Sequence, residues 1–276
     1  MGAYMMSVKK ILPVLFLFFG IGLGHACSII YYIDKNTGKI YVANNEDYWY
    51  DVDAYIQLTP KTKNKYARLW YGWDDFAQGG VNEHGLFFDG AVTPEQEPIK
   101  GAKKAKGNLG DDILANCKTV EEAIILIRKR NVGLNDAHIM FGDSTGNAVV
   151  IEWVNGKEKL INIKENRLVM TNYLLSDPSK GNYPCPRFDA IEKELNMIET
   201  MNEPANMKKV GTAAARAVQS PFTNNEGRTG GTLYSSFINI SEMKFILVPK
   251  LDNDKIIQLN LNEEFQNSKK KTIKLE

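Results

Sequence analysis

Five residues constrain this chain more than any others: Gly24-His25-Ala26-Cys27-Ser28 decide where the folded protein begins and on which side chain. Lys9 and Lys10 precede an apolar run from Ile11 to about Leu23, and the small residues Gly24 and Ala26 then stand at −3 and −1 of a cut. This is the layout of a secretory signal peptide. Residues 1–26 are therefore expected to be removed and the protein exported, to the periplasm or beyond the cell. A cut after Ala26 leaves Cys27 with a thiol and a free α-amine. Reference pKa values are roughly 8.5 for the thiol and 7.7–8.0 for the amine. The amine can take the thiol proton near neutral pH, so nucleophile and base share one residue.

Two other readings stand beside this one. Cys27 could carry lipid and make a surface lipoprotein, although Gly24 at −3 is not a branched aliphatic and His25 sits at −2. It could also be a structural cysteine that opens the chain by accident. The junction alone leaves all three open.

The rest of the chain, 27–276, is long enough for one large domain or two small ones. Its 43% hydrophobic and 24% charged residues are ordinary for a globular protein. A net charge of +1 supplies no field that would draw nucleic acid or anionic lipid, and Lys269-Lys270-Lys271 reads as a solvated tail. After the leader no apolar run is long enough to span a bilayer. Cys27, Cys117 and Cys185 match no zinc spacing, and no paired His/Glu motif of the zinc-protease kind occurs. An amine–thiol pair needs neither metal nor cofactor. Export permits a disulfide: a Cys117–Cys185 bridge and two buried free thiols are equal alternatives.

Downstream, Ser28 to Ile33 reads as a strand, Asp34 to Gly38 as a turn, and Lys39 to Ala43 as the returning strand. The hairpin brings Asn44-Asn45-Glu46-Asp47-Tyr48-Trp49 beside Cys27, where Asp47 could orient the amine and thiol or merely close a loop before a strand at 54–58. Trp70, Tyr71, Trp73 and Phe76 read as an aromatic cluster in a loop, suited to lining an apolar pocket or to core packing. Asn82-Glu83-His84-Gly85 is a tight turn feeding a buried strand, and His84 is a turn residue rather than a base. Thr119 and Glu122 make a capping box ahead of a helix with Val120, Ala123, Ile124 and Ile127 at helical spacing.

Strands follow at 137–141, 147–153 and 158–164, the last two joined by Asn155-Gly156. Another at 168–171 ends at Asn172, a site suited to an oxyanion donor and also a common turn residue. Phe188, Ile191, Leu195 and Ile198 mark a helix, 207–219 a second, and three strands close the chain at 232–240, 244–248 and 255–261. Hairpins flanking helices imply antiparallel sheets in an α+β arrangement. No repeat or low-complexity linker divides the chain, so one domain is preferred.

Taken together these segments resemble the N-terminal-nucleophile linear-amide hydrolases, the family of choloylglycine hydrolase, penicillin V acylase and the penicillin acyltransferases. The matching pieces run in the family's order: Cys27 opening a strand, Asn45 to Trp49, Val81-Asn82-Glu83-His84-Gly85-Leu86, Ala137 to Asp143 with Val150-Ile151-Glu152, Met170-Thr171-Asn172, and Thr232 to Ser236. The resemblance implies a four-layer αββα sandwich over residues 27–276. It also implies a small-molecule N-acyl amide substrate, attacked by Cys27 to give an acyl-thioester. Asp47 would hold the amine and thiol, and Asn172 would serve the oxyanion hole. Substrate contacts are expected from Trp70, Trp73 and Asn82. A late arginine assists many members, and Arg228 is favoured over Arg216. The pattern departs from bile salt hydrolases at Asn44, where they carry arginine, and at Val92, where they carry asparagine. Transfer of the acyl group to an amine, or a binding protein of the same fold, are the alternative functions, and a homo-oligomer is left open.

Overall fold

The structure, a computed structural model, describes residues 27–105, 107–201 and 203–276. The expected signal peptide lies outside the described residues. The chain enters as β1 (Ser28–Ile33) and β2 (Ile40–Trp49) and crosses to a second sheet as β3 (Tyr55–Thr59), β4 (Arg68–Trp73), β5 (Phe76–Asn82) and β6 (Phe87–Val92). Helices α1 (Leu109–Asn116) and α2 (Val120–Arg130) follow, then β7 (Ala137–Gly142), β8 (Ala148–Val154) and β9 (Lys157–Asn162). The chain returns to the first sheet as β10 (Arg167–Met170). It covers that sheet with α3 (Pro186–Thr200) and α4 (Met207–Ala215), then adds β11 (Phe222–Thr223), β12 (Thr229–Asn239), β13 (Lys244–Pro249) and β14 (Ile257–Asn260). A short α5 (Leu261–Glu264) leads to β15 (Lys271–Lys274).

The strand order is β10-β1-β2-β12-β13-β14 in the first sheet and β15-β3-β4-β5-β6-β7-β8-β9 in the second, with every pairing antiparallel. Three apolar layers bind these elements. The largest lies between the sheets, a second joins α1 and α2 to the outer face of the second sheet, and a third joins α3 and α4 to the outer face of the first. The expected helix–sheet–sheet–helix order is therefore present.

Strand parity explains why the first strands are buried on both faces. Cys27, Ile29 and Tyr31 point between the sheets, while Ile30 and Tyr32 point under α3 and α4. Burial of each such side chain contributes roughly 1.5–3 kcal/mol. Tyr31 also donates its hydroxyl hydrogen to the Asp143 carbonyl, 2.6 Å away at the end of β7, which ties the strand after Cys27 to the opposite sheet.

Local signals hold well in the helical layer. Thr119 Oγ1 accepts from the Glu122 amide, and Glu122 accepts from the Lys118 amide at 2.7 Å. Asn155 and Gly156 both have positive φ, 52° and 71°, as a tight hairpin turn requires. Gly110 on α1 answers a different need. A β-carbon there would lie 2.0 Å from the Phe88 ring, so the helix rests directly on β6 only because that side chain is missing.

Two expectations need correction. The aromatic stretch at 66–80 is not a loop but β4 and β5, because Tyr71 and Trp73 pack on one face of a covered sheet and Trp70 on the other. The lysine-rich end is not only a solvated tail. Lys271–Lys274 forms β15 on the edge of the second sheet, paired with β3, and Ile273 packs against the central core. All three cysteines are free and buried, Cys117 in the α1–α2 layer and Cys185 just before α3, so the bridge is not formed.

Candidate active site

Cys27 sits at the start of β1, where Ser28 pairs with Asn45 of β2. The pleat of β2 then sorts the following side chains. Val42 belongs to the core between the sheets, Tyr41 and Ala43 to the one beneath the helices, so Glu46 follows the parity of Val42 and Asp47 that of Tyr41. Accordingly the Cys27 thiol donates to Glu46 Oε1 at 3.3 Å between the sheets. On the other side, Asp47 Oδ1 accepts from Thr232 Oγ1 at 2.5 Å. A bulge in β12 between Thr232 and Tyr234 keeps Thr232 opposite Asp47 and Tyr234 opposite Glu46.

One guanidinium draws the helix side together. Arg187, in the first turn of α3, donates to the Cys27 carbonyl at 3.0 Å and to Asn172 Oδ1 at 2.9 Å, and lies 3.8 Å from Asp47 Oδ2. The other end of the Asn172 amide donates to the Val92 carbonyl at 2.9 Å, which fixes its orientation. Asp47 Oδ2 is buried and accepts no hydrogen bond. Burial pushes the Asp47 carboxyl up to about 7, against the opposing pull of Thr232 and Arg187. Burial raises the Cys27 thiol well above its ordinary value, with the Glu46 and Asp47 charges adding to it. Cys27 is thus a neutral thiol at rest.

Behind Asn172 lies a second buried pair. His138 Nδ1 is 3.0 Å from Glu152 Oε1 and Nε2 is 2.6 Å from the Thr171 carbonyl, with both side chains fully buried. Glu152 also accepts from the Leu175 and Ser176 amides. Burial works to raise its pKa, but the His138 and Ser176 hydrogen bonds hold it below the ordinary value. Glu152 is therefore a carboxylate. The two His138 nitrogens thus bridge the Glu152 carboxylate and the Thr171 carbonyl. The pair grips the residues on either side of Asn172.

From Cys27 an apolar cavity of about 350 Å³ runs past the ends of β5, β6 and β7 and under α1. Trp73, Phe88, Ala91, Leu109, Ile113 and Ile139 are among its walls. Trp73 is held by stacking on Tyr48, with 4.5 Å between ring centroids. Phe76 and Val92 are exposed at the rim. Among the described residues, no ionisable carboxylate or cationic side chain lines it apart from Glu46 and the paired His138.

A family model described as acyl-coenzyme A:6-aminopenicillanic acid acyl-transferase matches residues 34–249. The chain belongs to this acyl-transferase family. Among solved structures, a variant of conjugated bile acid hydrolase from Clostridium perfringens is similar, with a TM-score of 0.71 and 19% identity over 91% of this chain and 97% of that one. Penicillin V acylase from Agrobacterium tumefaciens is similar too, with a TM-score of 0.70 and 17% identity over 89% and 90%. The four-layer sandwich is thus the N-terminal-nucleophile hydrolase fold. A comparison with curated proteins finds no match.

Within this acyl-transferase family frame the structure brings Cys27, Asp47, Asn172 and Trp73 together and sets other expected residues elsewhere. Trp70 lies three positions from Trp73 on β4, an odd spacing that turns it to the opposite face, where it packs on Tyr55 at 5.3 Å. Asn82 is a clamp, not a substrate contact. Its amide donates to the Leu114 and Cys117 carbonyls at the end of α1, and its oxygen accepts from the His84 and Leu86 amides. Arg228 is bound bidentately to exposed Asp51 and covers Trp49, and Arg216 pairs with Glu194. Neither reaches the Cys27 group.

Arg187, which sequence reading passed over, occupies that place. Its signal was Pro186, which opens a helix at N1 and aims the next side chain back at the preceding loop. Arg187→Met is expected to lower kcat/KM by about 10²-fold through misplacement of Cys27 and Asn172, while Arg228→Ala leaves it unchanged. Equal losses in the two variants would contradict the assignment.

Proposed function

We propose that the protein is an exported amidase that begins at Cys27 after removal of residues 1–26 and hydrolyses a linear N-acyl amide. The supporting observation is the thiol of Cys27 at one end of an apolar cavity, beside a buried Asp47 oxygen that accepts no hydrogen bond. A free α-amine on Cys27 supplies the missing donor to that oxygen and is held ready as base.

In the first half-reaction the thiol proton moves to the α-amine as the S–C bond forms at the amide carbon. The second Nδ2 hydrogen of Asn172 is offered to the developing oxyanion. The ammonium then gives its proton to the leaving nitrogen, the C–N bond breaks, and an acyl-thioester remains. Water attacks the thioester with the same amine as base, releasing the acid and restoring the thiol. A cavity of this size and lining suits an uncharged aliphatic or aromatic acyl group, since an acyl anion would find no free cation among the described lining residues. The hydrolases among the similar structures and the family's acyl-transfer description both fit such an intermediate. Transfer to an amine is the second reading, and the family's description favours it.

The test is a panel of N-acyl amides with aliphatic, aromatic and anionic acyl groups, offered to protein whose first residue is verified as Cys27. Turnover of the uncharged members, with an acyl mass increment on Cys27, is expected. Added amines that divert the product would assign acyl transfer. No turnover and no acylation across the panel would leave the binding-protein reading.

A further inference from the structure

We propose that Glu46 acts as a protonated acid that donates a hydrogen bond to the Cys27 sulfur as the thiolate develops. The proposal rests on Cys27 being the nucleophile, and it answers a question that reading leaves open. Asn44, where related hydrolases place an arginine, offers no cation. Its amide is buried beside the Glu46 carboxyl, whose charged form it favours without making a well-formed hydrogen bond. The sulfur has an acid beside it instead.

The surroundings of Glu46 favour the neutral form. Between the sheets it faces the Cys27 thiol of β1, Tyr71 of β4, Asp89 of β6 and Tyr234 of β12, with His138 of β7 and Tyr48 of its own strand on the cavity wall. His138 is committed to Glu152, and Arg187 is engaged on the opposite face of β2. Asp89 lies buried with its Oδ2 accepting from the Tyr71 hydroxyl at 2.8 Å. Gly79 makes that bond possible, because a β-carbon there would fall 2.2 Å from Asp89 Oδ2 and 2.6 Å from the Tyr71 oxygen. Two carboxyls thus share a buried compartment, and among the described residues no lysine or arginine bears on either. Glu46 Oε2 and Asp89 Oδ1 accept no hydrogen bond, and the Tyr234 hydroxyl has no partner. Burial pushes the Glu46 carboxyl up to about 8, with the Asp47 charge adding to it and the Cys27 hydrogen bond and the Asn44 amide pulling the other way. Below that pH the acid keeps its proton.

The hydrogen bond then reverses without net proton gain by Glu46. At rest the thiol donates to Oε1. When the thiol proton passes to the α-amine, the carboxyl turns its own O–H to the sulfur across the same contact. Collapse of the thioester returns the amine-held proton to sulfur, and the thiol donates again. Ionised Glu46 would instead set a carboxylate against a thiolate and oppose attack.

The experiment follows the rate of Cys27 alkylation by iodoacetamide from pH 5.5 to 10, read as mass on the N-terminal peptide, beside amidase kcat/KM. Wild type is compared with Glu46→Gln, which keeps an N–H donor and the shape but cannot ionise, and with Glu46→Leu, which has no donor. At pH 7 the Leu variant should alkylate about tenfold slower than wild type, one pKa unit of lost thiolate, and the Gln variant within about threefold of it. Above pH 8 wild type should fall behind the Gln variant, whose alkaline limb in kcat/KM moves to higher pH. A Leu variant equal to wild type at pH 7, or superimposable wild-type and Gln profiles, overturns the role of Glu46. Failure of the amidase reading shows differently, as absent turnover in every variant with the alkylation profiles still distinct.

Discussion

Cys27→Ser is expected to reduce amide turnover by roughly 10⁴-fold or more, the scale on which removing a covalent nucleophile acts, while leaving the fold intact. The substitution exchanges one buried atom at the head of β1, and the register of Ser28 with Asn45 does not depend on it. A hydroxyl is far harder to deprotonate than a thiol, and an amine of pKa near 7.7–8.0 is too weak a base for it without further help. The Glu46 acid described above aggravates the loss, because it is placed to solvate a large soft anion at 3.3 Å rather than a compact alkoxide. The measurement is steady-state turnover together with trapping of the acyl-enzyme. Wild-type rates in the serine variant, on a substrate the wild type also turns over, would remove Cys27 from the mechanism.

The second large effect is on stability. Glu152→Leu is expected to cost about 3–5 kcal/mol, because it breaks a fully buried pair and leaves His138 Nδ1 without its partner. It also strips the Leu175 and Ser176 amides of their acceptor. For a chain of this size the thermal midpoint should fall by about 10 °C. The double variant His138→Leu/Glu152→Leu should recover part of that fall, since removing both partners is less costly than stranding one. Thermal denaturation of the single and double variants checks it. A single variant as stable as wild type would show that the pair is a mere contact. Activity should fall in the single variant as well, because Thr171 and the segment after Asn172 lose their anchor.

How much of this was legible before the fold was known depends on the distance over which each residue acts. Cys27 and Asp47 could be read because both belong to one hairpin, whose turn at 34–38 sets the register without help from the rest of the chain. Asn172 could be placed because it ends a recognisable strand. Trp70 and Trp73 could not be told apart while the stretch was taken for a loop, since only strand parity turns one toward Cys27 and the other away. Arg187 and the His138–Glu152 pair are products of packing between layers. His138 finds Glu152 only across on the neighbouring strand, and Arg187 meets Cys27 from a helix 160 positions downstream. Glu46 stood in plain view inside a quoted motif, but its chemistry depends on Asp89 and Tyr71 from the opposite sheet. Sequence carries the pattern of each strand, and the meeting of strands decides which carboxyl keeps its proton.

The seating of α1 on Phe88 over Gly110 separates two properties that are usually entangled in an enzyme. Bond-breaking groups belong to the first sheet, whereas the far wall of the acyl chamber belongs to a helix in an outer layer, spaced from β6 by a missing methyl group. Chain-length preference can therefore drift through substitutions on α1 and β6 while the reacting atoms stay where they are. Lineages sharing this scaffold can change diet without relearning chemistry.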